Sequence, residues 1–255
     1  MRQNKNPHQK LYKHPTHWDF RGSEGLSFYK QLKMDEEIKQ YVRKTGTSIL
    51  GIVCKDGIVM AGDRQVTAGQ SIIISKTTQK VVQVNNYLVG AWAGNASDIQ
   101  MSTKIVAAEL RLKELRSKAR PSVKDAANLI AMITYRNIRY PSMIPNIVGT
   151  LVGGYNENGT VEIYTIEPAA SVIKVEDYDA NFGSGMPYIL GLLERQYKKD
   201  MSVKDGIELA IECIKSSSQR DTGSGFGIDV FTITKEGINH VVKQKIEQVY
   251  REEKK

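Results

Sequence analysis

An α+β fold, with sheets that stack and helices on the outside, follows from the order of elements this sequence predicts. The chain reads strands, two helices, strands, two helices, strands. That is not the regular strand–helix alternation of a doubly wound parallel sheet. Its helices are apolar on one side, so each is expected to cover one sheet face. The 255 residues are 40% hydrophobic and 25% charged, ordinary values that exclude disorder, collagen and coiled coil as whole-chain readings.

The first 44 residues stand apart. Asn, Gln, Lys and His dominate from Met1 to Trp18, followed by Gly22 and Gly25. His8, His14 and His17 lie here without a Cys or clustered carboxylate to complete a metal site, so the segment reads as a solvated tail with no metal. Helical spacing of Phe28, Leu32, Ile38 and Val42 predicts a short helix over Ser27–Val42. From Thr47 the composition turns to strand. Ser48–Cys54, the Lys55-Asp56-Gly57 turn and Ile58–Ala61 spell a β-hairpin. Ser71–Ile74 and Lys80–Val84 suggest a second pair, and Tyr87–Ala91 a further strand.

Two helices follow. Ala96–Leu115 spaces Ile99, Ile105, Val106, Leu110 and Leu112 helically. The second opens on Pro121 and a Ser122–Asp125 capping box and runs to about Ile138. Strands return at Ile147–Gly153, Val161–Ile166 and Ser171–Val175. Pro187 starts a helix that ends near Tyr197, and Ser202–Asp205 starts another with the same capping letters as the earlier box. Ile228–Thr234 and Gly237–Lys243 close the fold.

Charge and cysteine usage narrow the function classes. Net charge is +8, but residues 1–46 hold ten basic and five acidic groups, whereas the other 209 hold 26 and 23. The globular part is nearly balanced, which argues against a nucleic-acid partner or a basic binding module. No apolar run of about 18 residues is present, so no membrane-spanning helix is expected. No secretory h-region opens the chain. Cys54 and Cys213 give no disulfide framework, and a cytoplasmic, reducing setting is expected.

Several hydrolytic engines are missing. After residue 46 the one histidine is His240, in the last predicted strand, with no Ser or Cys motif beside it. There is no Gly-x-Ser-x-Gly elbow, no phosphate loop ending in Gly-Lys-Ser/Thr, no His-Glu-x-x-His and no Cys-x-x-Cys. A hydrolase without these needs another nucleophile and base. An N-terminal Thr supplies both, because its own amine titrates at about 7.7–8.0. Gly46-Thr47 fits: a small residue precedes a Thr where strand composition begins. The hairpin returns Gly62-Asp63-Arg64 toward Thr47, and Lys80 opens a later strand. An ammonium beside the Thr lowers the pKa of its hydroxyl and amine, and Asp63 holds that ammonium. Gly94 and Asn95 open a helix, where the first main-chain N–H groups lack intrahelical acceptors and suit an oxyanion.

Taken in order, Thr47-Ser48-Ile49-Leu50-Gly51, Ala61-Gly62-Asp63-Arg64, Ala93-Gly94, Gly183-Ser184-Gly185 and Arg220–Gly225 resemble the β subunit of the 20S proteasome in its archaeal form. The resemblance runs from Thr47 to about Lys243. It implies a four-layer αββα sandwich of the N-terminal nucleophile hydrolase class, with a propeptide over 1–46 and the hydrolase domain over 47–255. It implies a threonine endopeptidase acting on unfolded polypeptides, with no cofactor. Partners would be α subunits and other β subunits in four stacked seven-membered rings, with a regulatory ATPase.

Carried over by residue, Thr47 is the nucleophile freed by self-cleavage after Gly46. Asp63 and Lys80 tune it, Ser184 contacts the freed amine, and Asp221 and Ser224 complete the network. Gly94 donates to the oxyanion. Thr67, Gly94 and Ala96 pair with an extended substrate as an added strand. Three departures stand out. The Asp63–Lys80 segment is one residue longer than the family pattern; unless the Gly69–Ile74 loop absorbs it, Lys76 is the alternative. Trp92 stands where the family walls its main specificity pocket, so cleavage after bulky residues is disfavoured unless Val66, Val82 and Ala96 leave room. Met186 replaces a common Ser, with little effect expected. Competing readings are an unprocessed, non-catalytic β-type subunit and a two-ring bacterial relative; the complete residue set and the 209 residues after Gly46 favour the active archaeal type.

Overall fold

The computed structural model describes residues 46–68, 72–141 and 146–246. The helix expected over Ser27–Val42 lies outside them. The chain runs through β1 (Ile49–Cys54), β2 (Gly57–Asp63), β3 (Val66–Ala68), β4 (Ile72–Ser75), β5 (Val81–Asn85) and β6 (Leu88–Gly94), then α1 (Ala96–Ser117) and α2 (Val123–Arg139). Next come β7 (Val148–Tyr155), β8 (Val161–Ile166), β9 (Val172–Lys174) and β10 (Tyr178–Asp179). Helices α3 (Met186–Gln196) and α4 (Val203–Arg220) precede β11 (Gly227–Thr234) and β12 (Gly237–Lys245).

Two antiparallel five-stranded sheets result, ordered β10-β1-β2-β11-β12 and β5-β6-β7-β8-β9. Strand periodicity sorts their side chains into layers. On β1 and β2, Leu50, Ile52, Cys54, Val59 and Ala61 meet Ile189, Leu193, Leu209 and Ile214 of α3 and α4. The opposite faces, with Ile49, Ile58 and Met60, meet Val89, Ala91, Leu151 and Ile163 of the second sheet. That sheet turns Leu88, Trp92, Val148 and Val152 toward Val106, Leu110, Ala127 and Ile130 of α1 and α2. The layers are helix, sheet, sheet, helix, as the α+β reading requires. Both capping boxes form: the Ser122 hydroxyl accepts from Asp125 N at 3.1 Å, and Ser202 from Asp205 N at 3.2 Å.

Two expectations are corrected, and two short strands are added. The Ile72–Ser75 strand pairs with β3, not with the Lys80–Val84 segment, which instead pairs with β6. The three-residue β3 was missed because it follows β2 with no turn residue between them. The two-residue β10, missed for its shortness, caps the edge of β1 through Gly51↔Asp179 and Ile52↔Tyr178. The apolar stripe of α1 is narrower than predicted: Leu112 is 38% exposed, and Met101 and Leu115 more so.

Candidate active site

The closed hairpin register places Ile49 opposite Gly62. Thr47 and Ser48, just before β1, therefore lie beside Asp63 at the end of β2. Asp63 is fully buried and accepts four hydrogen bonds. Ser48 N donates to Oδ1 at 2.8 Å, Gln65 N to Oδ2 at 2.9 Å, Gly225 N to Oδ2 at 3.0 Å, and Lys80 Nζ to Oδ1 at 2.7 Å. Lys80 reaches in from the start of β5, and the same ammonium donates to the Gly46 carbonyl at 3.0 Å. The Thr47 hydroxyl donates to that carbonyl at 2.6 Å. Gly46 N donates to Thr67 Oγ1 at 2.9 Å. Nucleophile candidate, ammonium and the carbonyl of the bond before Thr47 thus meet at one oxygen. The alternative Lys76 lies elsewhere, 4.5 Å over the Phe226 ring.

Burial sets the electrostatics. Lys80 is 5% exposed. Loss of hydration lowers its ammonium pKa below the ordinary lysine value, against the pull of Asp63. The same desolvation raises the Asp63 carboxyl, opposed by Lys80 and by the main-chain donors. A lysine held this way gives up its proton more readily than one in water.

On the other flank, the turn before α3 and the end of α4 converge on Thr47. Its N–H donates to Ser184 Oγ at 3.1 Å. Ser184 donates to Asp221 Oδ2 at 2.6 Å, and Ser224 donates to the same oxygen at 2.5 Å. Gly223 N closes the turn on Asp221 Oδ1 at 3.0 Å. Gly46 and Gly223 pack backbone on backbone: a Cβ on Gly46 would sit 2.6 Å from the Gly223 carbonyl carbon. Phe182 and Phe226, which flank these two glycine-rich segments, hold φ of 35° and 58°, a conformation that bulky residues rarely adopt. Such outliers persist where the surrounding structure over-determines them.

Beside Thr47 opens a cavity of about 260 Å³. Val66, Lys80, Val82, Trp92, Gly94 and Ala96 line it together with the exposed-side residues of α1. All the sequence-predicted residues therefore surround Thr47 or this cavity. Asn95, expected to open the helix, is its N-cap and accepts from Ser97 N at 3.3 Å. Among the described residues no group of three or more His, Cys, Asp or Glu is arranged to hold a metal. No described helix is long and apolar enough to cross a membrane.

Sequence reasoning missed part of the supporting layer. Ser48 and Ser217 are fully buried, and their hydroxyls hydrogen-bond each other. Ser48 Oγ also lies 2.7 Å from Ser224 Oγ, so the hydroxyl chain continues to Asp221. The signal existed: Ser217 is one helical turn before Asp221, and Ser48 adjoins Thr47. Gln65 donates to the Thr222 carbonyl at 2.7 Å, tying the β2 exit to the Asp221 turn. Arg64 is buried and donates through Nε to Asp229 Oδ2 at 2.8 Å. His240 contacts the other oxygen of Asp229 at 2.9 Å and stacks on Phe231.

Comparison with known proteins adds a relationship to this geometry. The family profile described as "Proteasome subunit" matches residues 43–233. The chain is 38% identical over 192 residues to the proteasome subunit beta of Nanoarchaeum equitans, covering 75% of this chain and 95% of that protein. It is 35% identical over 205 residues to that of Methanopyrus kandleri, covering 80% and 95%. Against that of Methanosarcina mazei the identity is 36% over 201 residues, covering 79% and 92%. The layered sandwich and these matches agree: this chain belongs to the archaeal 20S proteasome β-subunit family of N-terminal nucleophile hydrolases.

Proposed function

We propose that this chain is a threonine endopeptidase subunit that frees its own nucleophile by cutting the Gly46–Thr47 bond. The observation that carries this reading is the Gly46 carbonyl oxygen, which accepts from both the Thr47 hydroxyl at 2.6 Å and Lys80 Nζ at 3.0 Å. The ammonium draws electron density from the carbonyl carbon. Thr47 Oγ1 attacks that carbon and gives up its proton, the C–N bond breaks, and the Thr47 nitrogen takes up that proton and leaves as an amine. Water then hydrolyses the ester, releasing the leader with a Gly46 carboxylate. The ejected amine becomes the base for later turnovers, with a pKa suited to neutral pH.

In the processed subunit, the Thr47 amine takes the hydroxyl proton as Oγ1 attacks a peptide carbonyl. The Gly94 amide is assigned to the oxyanion. Lys80, held by Asp63, lowers the pKa of the hydroxyl. The amine rests on Ser184, which passes hydrogen bonding on to Asp221 and Ser224. Thr67, Gly94 and Ala96 line an extended substrate, whose side chain enters the cavity beside Trp92. Substrates are unfolded polypeptides, and the subunit assembles with α subunits and other β subunits in stacked rings fed by a regulatory ATPase. The relatives' name as proteasome β subunits supports the assembly, and the cytoplasm is the compartment proposed.

The test is the intact mass and N-terminal sequence of the subunit assembled with its α partner. The expected mature chain begins at Thr47, and Thr47→Ala retains the full 28.6 kDa with no peptidase activity. A wild-type subunit that keeps its leader and hydrolyses peptides at the same rate as its Thr47→Ala variant refutes the assignment. A leader retained without activity favours the non-catalytic subunit instead.

A further inference from the structure

We infer that Gly90 is a specificity-determining residue: by lacking a side chain it lets the Trp92 indole lie back along β6, keeping the cavity beside Thr47 open to a large apolar side chain on the acyl side of the cleaved bond. The inference rests on Thr47 being the nucleophile. Residues two apart on a strand share a face, so Gly90 lies directly behind Trp92. A Cβ on Gly90 would stand 2.6 Å from the indole Nε1, 2.9 Å from Cε2 and 3.1 Å from Cζ2. Carbon atoms pack at about 3.5–4.0 Å. The ring therefore occupies the space where a side chain at position 90 would be.

Among the described residues nothing else fixes the ring there by a directed bond. Trp92 is 1% exposed, yet its indole N–H is buried with no hydrogen-bond partner among the described residues. Its position is set by shape, and moving it breaks no hydrogen bond. The strand beneath cannot yield as readily. Gly90 pairs with Val82 on one side and Val152 on the other, and Trp92 N donates to the Lys80 carbonyl at 3.0 Å. An added methyl group thus displaces the indole and not the backbone. Trp92 belongs to the same buried core cluster as Val106, Leu110 and Ile130, and it also lines the cavity. The cavity is the side with room. Its roughly 260 Å³ exceeds the ~150 Å³ that accommodates a benzene ring in an apolar protein cavity. Tipping the indole inward would leave space for small side chains only.

The experiment uses the full chain assembled with its α subunits and fluorogenic peptides that differ only in the acyl-side residue: Ala, Leu or Phe. Gly90→Ala is expected to lower the ratio of kcat/KM for Phe over Ala peptides by about tenfold, the scale on which a pocket senses one methylene. Hydrolysis of the Ala peptide should persist. Because a strained variant could fail to assemble, Gly90→Ala is also made in a Trp92→Ala background, where the clash is gone. There it should change the ratio less than twofold. A wild-type particle that cleaves all three peptides while Gly90→Ala leaves the ratio unchanged overturns this inference alone. So does a tenfold effect that survives in the Trp92→Ala background. A wild-type particle that cleaves none of the peptides overturns the Thr47 assignment and this inference together.

Discussion

Asp63→Asn is the perturbation whose cost follows most directly from the geometry. The substitution keeps shape and removes one charge. Asp63 is fully buried and Lys80 nearly so, at 5% exposed. Each carboxylate oxygen receives two donors: Ser48 N and Lys80 Nζ on Oδ1, Gln65 N and Gly225 N on Oδ2. Whichever way the amide is turned, its NH₂ faces two N–H groups that then lack an acceptor. The Lys80 charge also loses its counterion. Removing one partner from a buried ion pair costs about 3–5 kcal/mol. For chains of 150–250 residues each kcal/mol lowers the midpoint by about 2–4 °C, so a fall of roughly 6–20 °C is expected.

The assay is thermal unfolding of the full chain by circular dichroism or calorimetry. Lys80→Met added to Asp63→Asn should recover part of the loss, because it removes the stranded cation. The pH dependence has a definite sign. The folded pKa of Lys80 lies below its unfolded value, so in that window the unfolded chain binds more protons and stability rises with pH. Asp63 pulls the Lys80 pKa up, so losing its charge lowers that pKa further, and the Asp63→Asn deficit should narrow as pH is raised toward the ordinary lysine range. A midpoint within about 2 °C of wild type, or a double variant less stable than the single, refutes the reasoning.

Three further outcomes are expected. In the assembled particle kcat/KM should rise with pH as the freed Thr47 amine loses its proton, at about 7.7–8.0, and Lys80→Met, which removes the ammonium beside the hydroxyl, should lower kcat by at least about tenfold; turnover undiminished in Lys80→Met refutes the role. Ser217→Ala removes one buried hydroxyl from the Ser48–Ser224–Asp221 chain; it should cost about 1 kcal/mol of stability and lower kcat more than it raises KM, whereas a purely structural role leaves kcat intact. Burial pushes the thiols of Cys54 and Cys213 up to about 12, so a disulfide reagent at pH 8 should find neither in the native chain and both after denaturation; rapid native labelling contradicts this.

The sequence was legible wherever the signal was local. Both Ser-x-x-Asp boxes, the Asp56-Gly57 hairpin turn and the placement of four helices depend on contacts a few residues apart, and each can be read from spacing. The candidate site was partly legible, because Thr47, Asp63, Ser184 and Asp221 sit in short motifs near turns. Pairing of β3 with β4 was not, since Ile72–Ile74 carries no mark of its partner. Nor were the supporting contacts. Ser48 and Ser217 are separated by 169 positions, and Arg64 meets Asp229 across 165. Only stacking of the two sheets and their helices brings such groups into one buried volume, where desolvation turns ordinary residues into a tuned lysine and a hydroxyl chain.

Trp92 marks the same division. Its position beside the cavity was readable from its distance to Gly94, but the direction of its ring depended on Gly90 and on the helices packed above. By itself the sequence determined the fold class, the helices, the first hairpin and the residue types gathered around Thr47. The tertiary structure alone decided which lysine faces Asp63, which serines complete the network and how much room the pocket keeps. Local elements follow from backbone and turn chemistry over a few residues, whereas charge tuning and cavity shape arise from burial, which no short stretch of chain contains.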